Sequence, residues 1–387
     1  MINYGRHYVD SKDFAQIKKV IHSDYLTTGP FVRSFENKLK KFFGAKNVLA
    51  VSNGSAALHL AGKALNWNQF TSVITTPITF VSTINSIILN RSKPVLADID
   101  DETFTIDPNL VEKEVRRIRK KGAKKISVIG VDYAGHPCDW KSLRYLADKF
   151  NLRLVNDNCH ALGAGYQNSD WYATKYADIV TQSFHPVKNI TTGEGGAVIT
   201  RNSELFKKIE KFRSHCIIKN VKTKNEGRWR YDVSDLGYNY RINDIECALG
   251  ISQLQKIKKF LKKRRSIAKL YSKELSNLDN CIVPKIKENS GIKHAFHLYP
   301  FQIDFKQFKV NKKEFFNFFF KNNINLQVHY VPIYKFSCFK KFNFFNSKKF
   351  RTSENFYNKE VSLPIYYSLK NAEVSKIIRL IKKILVR

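Results

Sequence analysis

Asp157 and Lys188 each stand just beyond a short apolar run that is typical of a buried parallel strand. Residues 152–155 precede Asp157, and residues 179–180 precede Ser183 and Lys188. Side chains at the carboxyl ends of parallel strands meet at one edge of a sheet. A lysine amine forms a Schiff base with the aldehyde of pyridoxal 5'-phosphate, and a carboxylate pairs with its pyridinium nitrogen so that the ring acts as an electron sink. The pair therefore predicts a pyridoxal phosphate site.

The alternative is that both residues are ordinary, because the chain contains 67 Lys plus Arg and most lysines lie on the surface. An aspartate at a strand end is also a common turn former or cap. The loop after Lys188 favours the functional interpretation. It reads T-T-G-E-G-G-A over residues 191–197, and three glycines in four positions allow the backbone to approach a bound cofactor closely.

A second candidate element is the turn S-N-G-S that joins a predicted strand, residues 47–51, to an apolar helical run. Free N–H groups at the start of a helix bind phosphate, which makes Gly54, Ser55 and Ala56 candidate phosphate ligands. Ser55 could equally be an ordinary N-cap. Taken alone, the turn does not decide between the two.

The spacings S-F-x-x-x-K-x-x-T-x-G-E-G-G over residues 183–196 and D-x-x-H-A-L-G over residues 157–163 resemble the DegT/StrS-type nucleotide-sugar aminotransferases, which have the fold type I (aspartate aminotransferase-like) architecture. The resemblance implies that Lys188 bonds to pyridoxal phosphate and that Asp157 holds its ring nitrogen. It also implies that His160 lies beside the ring and that Ser183, with the turn at Gly54, contacts the phosphate.

Further residues take roles only through this resemblance. The family pattern G-x-N-Y/F-R at residues 237–241 implies that Asn239 reaches the cofactor phosphate of a neighbouring subunit, and hence a homodimer with composite sites. Phe80 would stack on the cofactor ring, although an aromatic here is more often core. The implied substrate contacts are Thr28, Arg228, Trp229 and His329. Turn, solvent-exposed and buried structural roles remain the alternatives for these residues.

The segment V-D-Y-A-G at residues 131–135, with T-T-P-I-T-F and H-A-L-G-A-G-Y-Q, is most similar to family members of pseudaminic acid biosynthesis. It implies transfer of an amino group from L-glutamate to C4 of a UDP-linked 4-keto-6-deoxy-N-acetylhexosamine. A dTDP- or GDP-linked keto sugar aminated at C3 or C4, or a basic binding protein without chemistry, is the alternative.

Apolar runs and helical patterns alternate through residue 200, which predicts an α/β fold with a mostly parallel sheet and helices on both faces. We expect a large domain over residues 1–250 and a smaller α/β domain over residues 251–387. One long helix is expected over residues 242–275, and strands over residues 295–303 and 325–329.

The formal charge of +34 is dispersed over several amphipathic stretches, so we expect no specific nucleic-acid partner. No apolar run reaches the length of a membrane span or of a signal peptide, so no membrane partner and a cytoplasmic location are expected. The six cysteines form no C-x-x-C pair, and neither a disulfide framework nor a metal site is indicated.

Overall fold

The computed structural model of the 387-residue chain describes residues 1–219, 227, 229–286, 290–340 and 350–385. The helices within these residues are α1 (Ser11–Ile21), α2 (Pro30–Phe43), α3 (Gly54–Ala64), α4 (Val81–Leu89), α5 (Pro108–Lys120), α6 (Trp140–Lys149), α7 (Tyr172–Tyr176), α8 (Ser203–Arg213), α9 (Asp244–Gln255), α10 (Ile257–Leu275), α11 (Lys312–Lys321), α12 (Ser337–Lys340), α13 (Arg351–Lys359) and α14 (Asn371–Leu385).

The strands are β1 (Ile2–Asn3), β2 (Asn47–Val51), β3 (Thr71–Thr75), β4 (Lys93–Leu96), β5 (Lys125–Val131), β6 (Arg153–Asp157), β7 (Ile179–Ser183), β8 (Gly196–Thr200), β9 (Ile217–Lys219), β10 (Tyr231–Val233), β11 (Cys281–Ile282), β12 (Tyr299–Ile303), β13 (Ile324–Asn325) and β14 (Glu360–Leu363).

The central sheet has the order β2-β8-β7-β6-β5-β3-β4. Strands β3 to β7 run parallel, whereas β8 is antiparallel to both of its neighbours, β2 and β7. The carboxyl ends of β5, β6 and β7 therefore lie side by side. This is the mostly parallel α/β sheet that the alternating pattern predicts.

Both faces of this sheet are buried. Consecutive side chains of a strand point to opposite faces, and Leu154 and Val155 of β6 accordingly belong to two different apolar clusters. The cluster around Leu154 contains residues of α2, α5, α6 and α9. The cluster around Val155 contains residues of α3, α4 and α8. The strands are apolar on both faces because helices cover them on both sides.

A separate apolar cluster contains residues of α10, α11, α14, β12 and β14. Here β12 lies between β11 and β14 in an antiparallel sheet. The N-terminal β1 pairs with β13, which brings the start of the chain to this region. The division into domains at residue 250 stays a prediction.

The expected single helix over residues 242–275 is wrong, because α9 ends and α10 begins at Lys256. The Lys256 ammonium lies 2.9 Å from Asp10 Oδ1 and 2.5 Å from Asp13 Oδ2, at the start of α1. Most residues of α9 are buried, whereas α10 has one buried face. The helical pattern of the sequence does not mark the break at Lys256, where this tertiary ion pair lies.

Two expected strands are shorter in the structure. Only 299–303 of residues 295–303 form β12, because Phe296 has a left-handed backbone (φ 46°) and its N–H donates to the His294 ring at 2.8 Å. Only residue 325 of the expected strand 325–329 belongs to β13. The side chain of Glu360 accepts the N–H of His329 at 3.0 Å, so that N–H is not available to a strand ladder. Among the described helices, none has the length and apolar character needed to cross a membrane.

Candidate active site

A cavity of about 260 Å³ opens where the carboxyl ends of β5, β6 and β7 meet the start of α3. The predicted residues on its lining are Gly54, Ser55, Phe80, Asp157, His160, Ser183, Lys188 and His329. They come from five separate stretches of the chain, which the fold brings together.

Asp157 is the last residue of β6 and is buried. One carboxylate oxygen accepts the hydroxyl of Thr83, from α4, at 2.9 Å. The other accepts the backbone N–H of Cys159 at 3.3 Å. These two donors fix the plane of the carboxylate at the edge of the cavity.

Lys188 lies in the loop after β7, where its backbone N–H donates to the carbonyl of His185 at 2.9 Å. The side chain is partly exposed and lines the cavity. Burial lowers its pKa from 10.5, although Cys159 and Asp157 oppose the shift. A lysine with a depressed pKa can lose its proton more readily and act as a nucleophile or base.

The first turn of α3 forms the opposite wall. Its N-cap is Asn53, whose side chain accepts the N–H of Ala56 at 2.8 Å, so the suggestion that Ser55 caps this helix is wrong. Ala56 is buried behind the lining and its N–H is already used. The N–H groups of Gly54 and Ser55 have no acceptor among the described residues, so they can bind an anion at the positive end of the helix.

Gly54 also makes room for this wall. A Cβ at Gly54 would lie 2.8 Å from the Cβ of Ser183, at the end of β7. Ser55 adds a hydroxyl, which lies 2.6 Å from the hydroxyl of Ser82. Two backbone N–H groups of α3 and the hydroxyls of Ser55 and Ser82 thus line the same cavity, which is the kind of donor set that a phosphate needs.

Aromatic and imidazole rings form the remaining wall. Phe80 is 55% exposed, so it faces the cavity and not the core. The ring of His160 accepts the N–H of Ala134 at Nδ1 (3.3 Å), and its Nε2 lies 3.0 Å from the hydroxyl of Tyr330. Because Nδ1 is an acceptor, the proton of neutral His160 is on Nε2. Burial, Lys188 and His329 hold the pKa of His160 well below 6.5.

The structure does not bring the remaining predicted residues to this cavity. Asn239 is exposed outside it, and Trp229 is 80% exposed. Thr28 lines a different cavity, of about 770 Å³, with the basic residues Arg33, Lys38 and Lys41. Arg228 lies outside the described residues.

Sequence reasoning missed several lining residues, namely Tyr4, Thr83, Cys159 and His297. Cys159 stands within the segment 157–163 that carries the resemblance, and Thr83 follows Phe80 by three residues, so proximity to Asp157 and Phe80 could have suggested them. Tyr4 and His297 had no such signal, because the pairing of β1 with β13 and the loop before β12 depend on tertiary contacts.

A sequence profile of the DegT/DnrJ/EryC1/StrS aminotransferase family matches residues 7–382. The chain belongs to this family. This aminotransferase is 37% identical over 379 residues to UDP-4-amino-4,6-dideoxy-N-acetyl-beta-L-altrosamine transaminase of Campylobacter jejuni, with 97% of this chain and 96% of the relative covered. It is 35% identical to the protein MJ1066 of Methanocaldococcus jannaschii, with 98% and 96% covered.

Among solved structures, this aminotransferase matches Helicobacter pylori PseC, an aminotransferase involved in the biosynthesis of pseudoaminic acid. The TM-score is 0.88 at 33% identity, and the match covers 100% of this chain and 99% of that one. The predicted α/β aminotransferase fold and the family resemblance are therefore confirmed.

The cavity of this aminotransferase fits pyridoxal phosphate on its own geometry. The free N–H groups of Gly54 and Ser55 suit the phosphate. The carboxylate of Asp157, which accepts two hydrogen bonds, suits a protonated ring nitrogen, and the amine of Lys188 suits an aldehyde. A side chain at position 54 would clash with Ser183, so glycine at this position leaves space at the α3 end of the cavity.

Proposed function

We propose that this protein is a pyridoxal phosphate-dependent aminotransferase that transfers an amino group from L-glutamate to the C4 keto group of a UDP-linked 4-keto-6-deoxy-N-acetylhexosamine. The observation that carries the proposal is that Asp157, Lys188 and the open first turn of α3 line one cavity. Each supplies a different part of the donor set for this cofactor.

The chain's own residues have distinct tasks. Pyridoxal phosphate, when bound, supplies an aldehyde carbon and an electron-withdrawing ring. Asp157 would hold the proton of the ring nitrogen, since Thr83 and Cys159 orient its carboxylate. Lys188 would take a proton from the α-carbon of the amino donor at Nζ and later return a proton to the sugar carbon, because its lowered pKa lets it exchange protons closer to neutral pH. Phe80 and His160 would flank the ring and exclude water.

The substrate part of the proposal depends on two relatives. The Campylobacter jejuni relative is named for a UDP-linked amino sugar, and Helicobacter pylori PseC is an aminotransferase of pseudoaminic acid biosynthesis. Both align with this chain over nearly its full length. His329 is the proposed sugar contact on the lining. The cytoplasmic location stays a prediction.

A homodimer is the second part of the proposal. Strands β9 and β10 form a two-stranded ribbon in which all six residues are exposed. Its apolar side chains include Ile217, Ile218, Tyr231 and Val233. An isolated ribbon is marginally stable and an exposed apolar patch marks an interface. A second copy that covers this ribbon would bring the exposed Asn239 and Trp229 toward another subunit, and Thr28 and Arg228 are proposed substrate contacts in that assembly.

The first experiment tests the cofactor. Purified protein should be yellow, and borohydride should fix the cofactor to the peptide that contains Lys188, as read by peptide mass mapping. Lys188→Ala should abolish the label. Lys293→Ala, which removes an exposed lysine paired with Asp170, should keep it. Protein that stays colourless after incubation with pyridoxal phosphate would instead support a binding protein without chemistry.

The second experiment tests the substrate. The holoenzyme is incubated with L-glutamate and UDP-, dTDP- or GDP-linked 4-keto-6-deoxy sugars, and 2-oxoglutarate is measured. We expect release with the UDP-linked N-acetyl sugar, and an amino group at C4 in the product by NMR. Release with a dTDP- or GDP-linked sugar alone, or amination at C3, would reject this substrate while leaving the aminotransferase chemistry intact.

A further inference from the structure

His329, on the cavity wall, is held by three contacts that no cofactor role requires. Its backbone N–H donates to Oε2 of Glu360 at 3.0 Å, and its carbonyl accepts the hydroxyl of Tyr133. Its ring Nδ1 lies 2.8 Å from the hydroxyl oxygen of Ser362. The hydroxyl of Ser362 is in turn hydrogen-bonded to Oε1 of Glu360. Glu360 and Ser362 both belong to β14 and are buried.

The direction of this chain of hydrogen bonds decides where the ring proton sits. An ionised carboxylate only accepts, so Ser362 must donate its one proton to Glu360. The hydroxyl oxygen can then only accept from the ring, which places the proton of neutral His329 on Nδ1. The other ring nitrogen, Nε2, has no partner among the described residues. It is left as a hydrogen-bond acceptor.

A neutral group at position 360 reverses the direction of the hydrogen bonds between residue 360, Ser362 and the ring of His329. The backbone N–H of His329 cannot accept, so the acceptor oxygen of a neutral side chain must stay on it. The donor end then faces Ser362, whose hydroxyl turns and donates to Nδ1. The ring proton consequently moves to Nε2, which becomes a donor.

We propose that Glu360, acting through Ser362, is a positioning residue that sets which ring nitrogen of His329 carries the proton. An ionised Glu360 makes Nε2 an acceptor for a hydroxyl or N–H of the substrate, and a neutral Glu360 makes it a donor. The choice matters to catalysis only if substrate occupies this cavity, and in that respect the inference rests on the proposed function.

The groups around Glu360 favour titration of its carboxyl in a pH range that experiments can reach. Burial raises the pKa of Glu360 to about 8, against the lowering effects of Ser362, Lys312 and the His329 N–H. Lys312, on α11, has its pKa lowered by burial to about 8 and donates to the carbonyl of Tyr357. Tyr133 and Tyr330 also face Glu360, and burial followed by charge raises the pKa of each.

His329 itself stays neutral throughout this range. Burial, followed by the charge of Lys188, lowers its pKa to about 3. The other groups near its ring are Tyr4 and Tyr330, each at 5.0 Å between ring centroids, and the buried imidazoles of His160 and His297. Any change in the ring between about pH 6 and pH 9.5 is therefore a change of tautomer and not of charge.

The test is ¹⁵N NMR of the full-length, cofactor-loaded protein labelled at its 10 histidines, with His329→Gln to identify the His329 signals. At about pH 9.5, above the Glu360 pKa, we expect the proton on Nδ1 in the unmodified protein and on Nε2 in Glu360→Gln. At about pH 6 both proteins should carry it on Nε2. The same protonated nitrogen in both proteins at about pH 9.5 would overturn the proposal.

Ser362→Ala shows whether the effect passes through the serine. In that background, Glu and Gln at position 360 should give the same His329 spectrum, since the connection is broken. A persistent difference would overturn the proposal. If Glu360→Gln does not fold, the pH dependence of the unmodified protein and of Ser362→Ala decides the matter: a tautomer that changes with pH only when Ser362 is present supports the proposal, and any other result rejects it.

Kinetics provides the second readout. Ser362→Ala and Glu360→Gln should raise KM for the keto sugar about two- to tenfold at about pH 9.5, the size expected for one hydrogen bond, with a smaller change in kcat. Ser353→Ala is the matched control, because Ser353 is a buried serine bonded to a buried carboxylate, Asp98, away from the cavity. A total lack of transamination in the unmodified enzyme would reject the proposed function, whereas the ring spectra would still test this inference.

Discussion

The hydroxyl of Thr83 donates to Oδ2 of Asp157 at 2.9 Å, from the first turn of α4 to the end of β6. This bond joins the helix that follows Phe80 to the carboxylate proposed to hold the cofactor ring. The hydrogen bond therefore ties the position of Asp157 to the helix that begins after Phe80, the ring proposed to stack on the cofactor. Neither residue type alone would have suggested this connection.

Thr83→Val is expected to weaken cofactor binding about two- to tenfold, because one of the two donors that orient Asp157 is lost without a change in side-chain shape. The measurement is a titration of cofactor-free protein with pyridoxal phosphate, followed by absorbance. Thr181→Val removes a buried hydroxyl from the neighbouring β7 that bonds to a backbone carbonyl, and should leave the affinity unchanged. Equal affinities in the two variants would contradict a role for Thr83 in holding the acid.

Lys188→Met is expected to stabilise the cofactor-free protein at neutral pH, raising Tm by about 2 °C. Burial lowers the folded-state pKa of Lys188 below its usual 10.5, so the unfolded chain binds this proton more tightly. The cost to stability is complete below the folded-state pKa and disappears as pH rises toward 10.5. The gain should therefore shrink between neutral pH and about pH 10, as followed by thermal unfolding. Lys293→Met, at an exposed site, should show no such pH-dependent gain.

Tyr231→Asp is expected to convert the proposed dimer into monomers, since a carboxylate on the ribbon of β9 and β10 would be buried there without a partner. Sedimentation velocity measures the change, and activity should fall with it. Phe320→Asp is a matched control, because Phe320 is 59% exposed and Tyr231 is 55% exposed. Two variants that both stay dimeric and active would place the subunit contact elsewhere.

Mixing two inactive proteins tests whether the site is shared. Asn239→Ala lacks the residue proposed to act in the neighbouring subunit, and Lys188→Ala lacks the amine of its own cavity. A mixed dimer has one site with both residues intact, so random exchange should restore about a quarter of the unmodified activity. Recovery is measured as 2-oxoglutarate release after subunit exchange. No recovery from mixed dimers that have demonstrably formed would mean that Asn239 acts within its own chain.

The core of this site was predictable for a specific reason. Asp157 and Ser183 end parallel strands, and the direction of such strands alone sends their side chains to one edge. The turn at Gly54 and the glycines after Lys188 carried their own local signals. Tyr4 and His297 could not be found in this way, since Tyr4 reaches the lining through the pairing of β1 with β13 and His297 lies in the loop before β12.

The sequence did not predict the exact ends of some helices and strands, because these depend on particular side-chain contacts. The break at Lys256 stands where a lysine bonds to Asp10 and Asp13, more than two hundred positions earlier in the chain. The late start of β12, at Tyr299 and not at residue 295, reflects a hydrogen bond from the N–H of Phe296 to the ring of His294. At Phe296 a side chain takes the backbone N–H, and at Lys256 an ion pair with distant residues lies at the break. Helix or strand propensity contains no information about either contact.

Strand β2 is hydrogen-bonded in the central sheet to β8 alone, with Val51 opposite Gly196. Strand β8, which holds β2 and the following α3 in place, is therefore synthesised long after the helix itself. During translation, residues 47–64 are expected to leave the ribosome before their partner strand β8 has been made. Their apolar side chains are then accessible to chaperones and to aggregation until the sheet forms. The cavity wall that the first turn of α3 forms is accordingly expected among the last parts of the molecule to form.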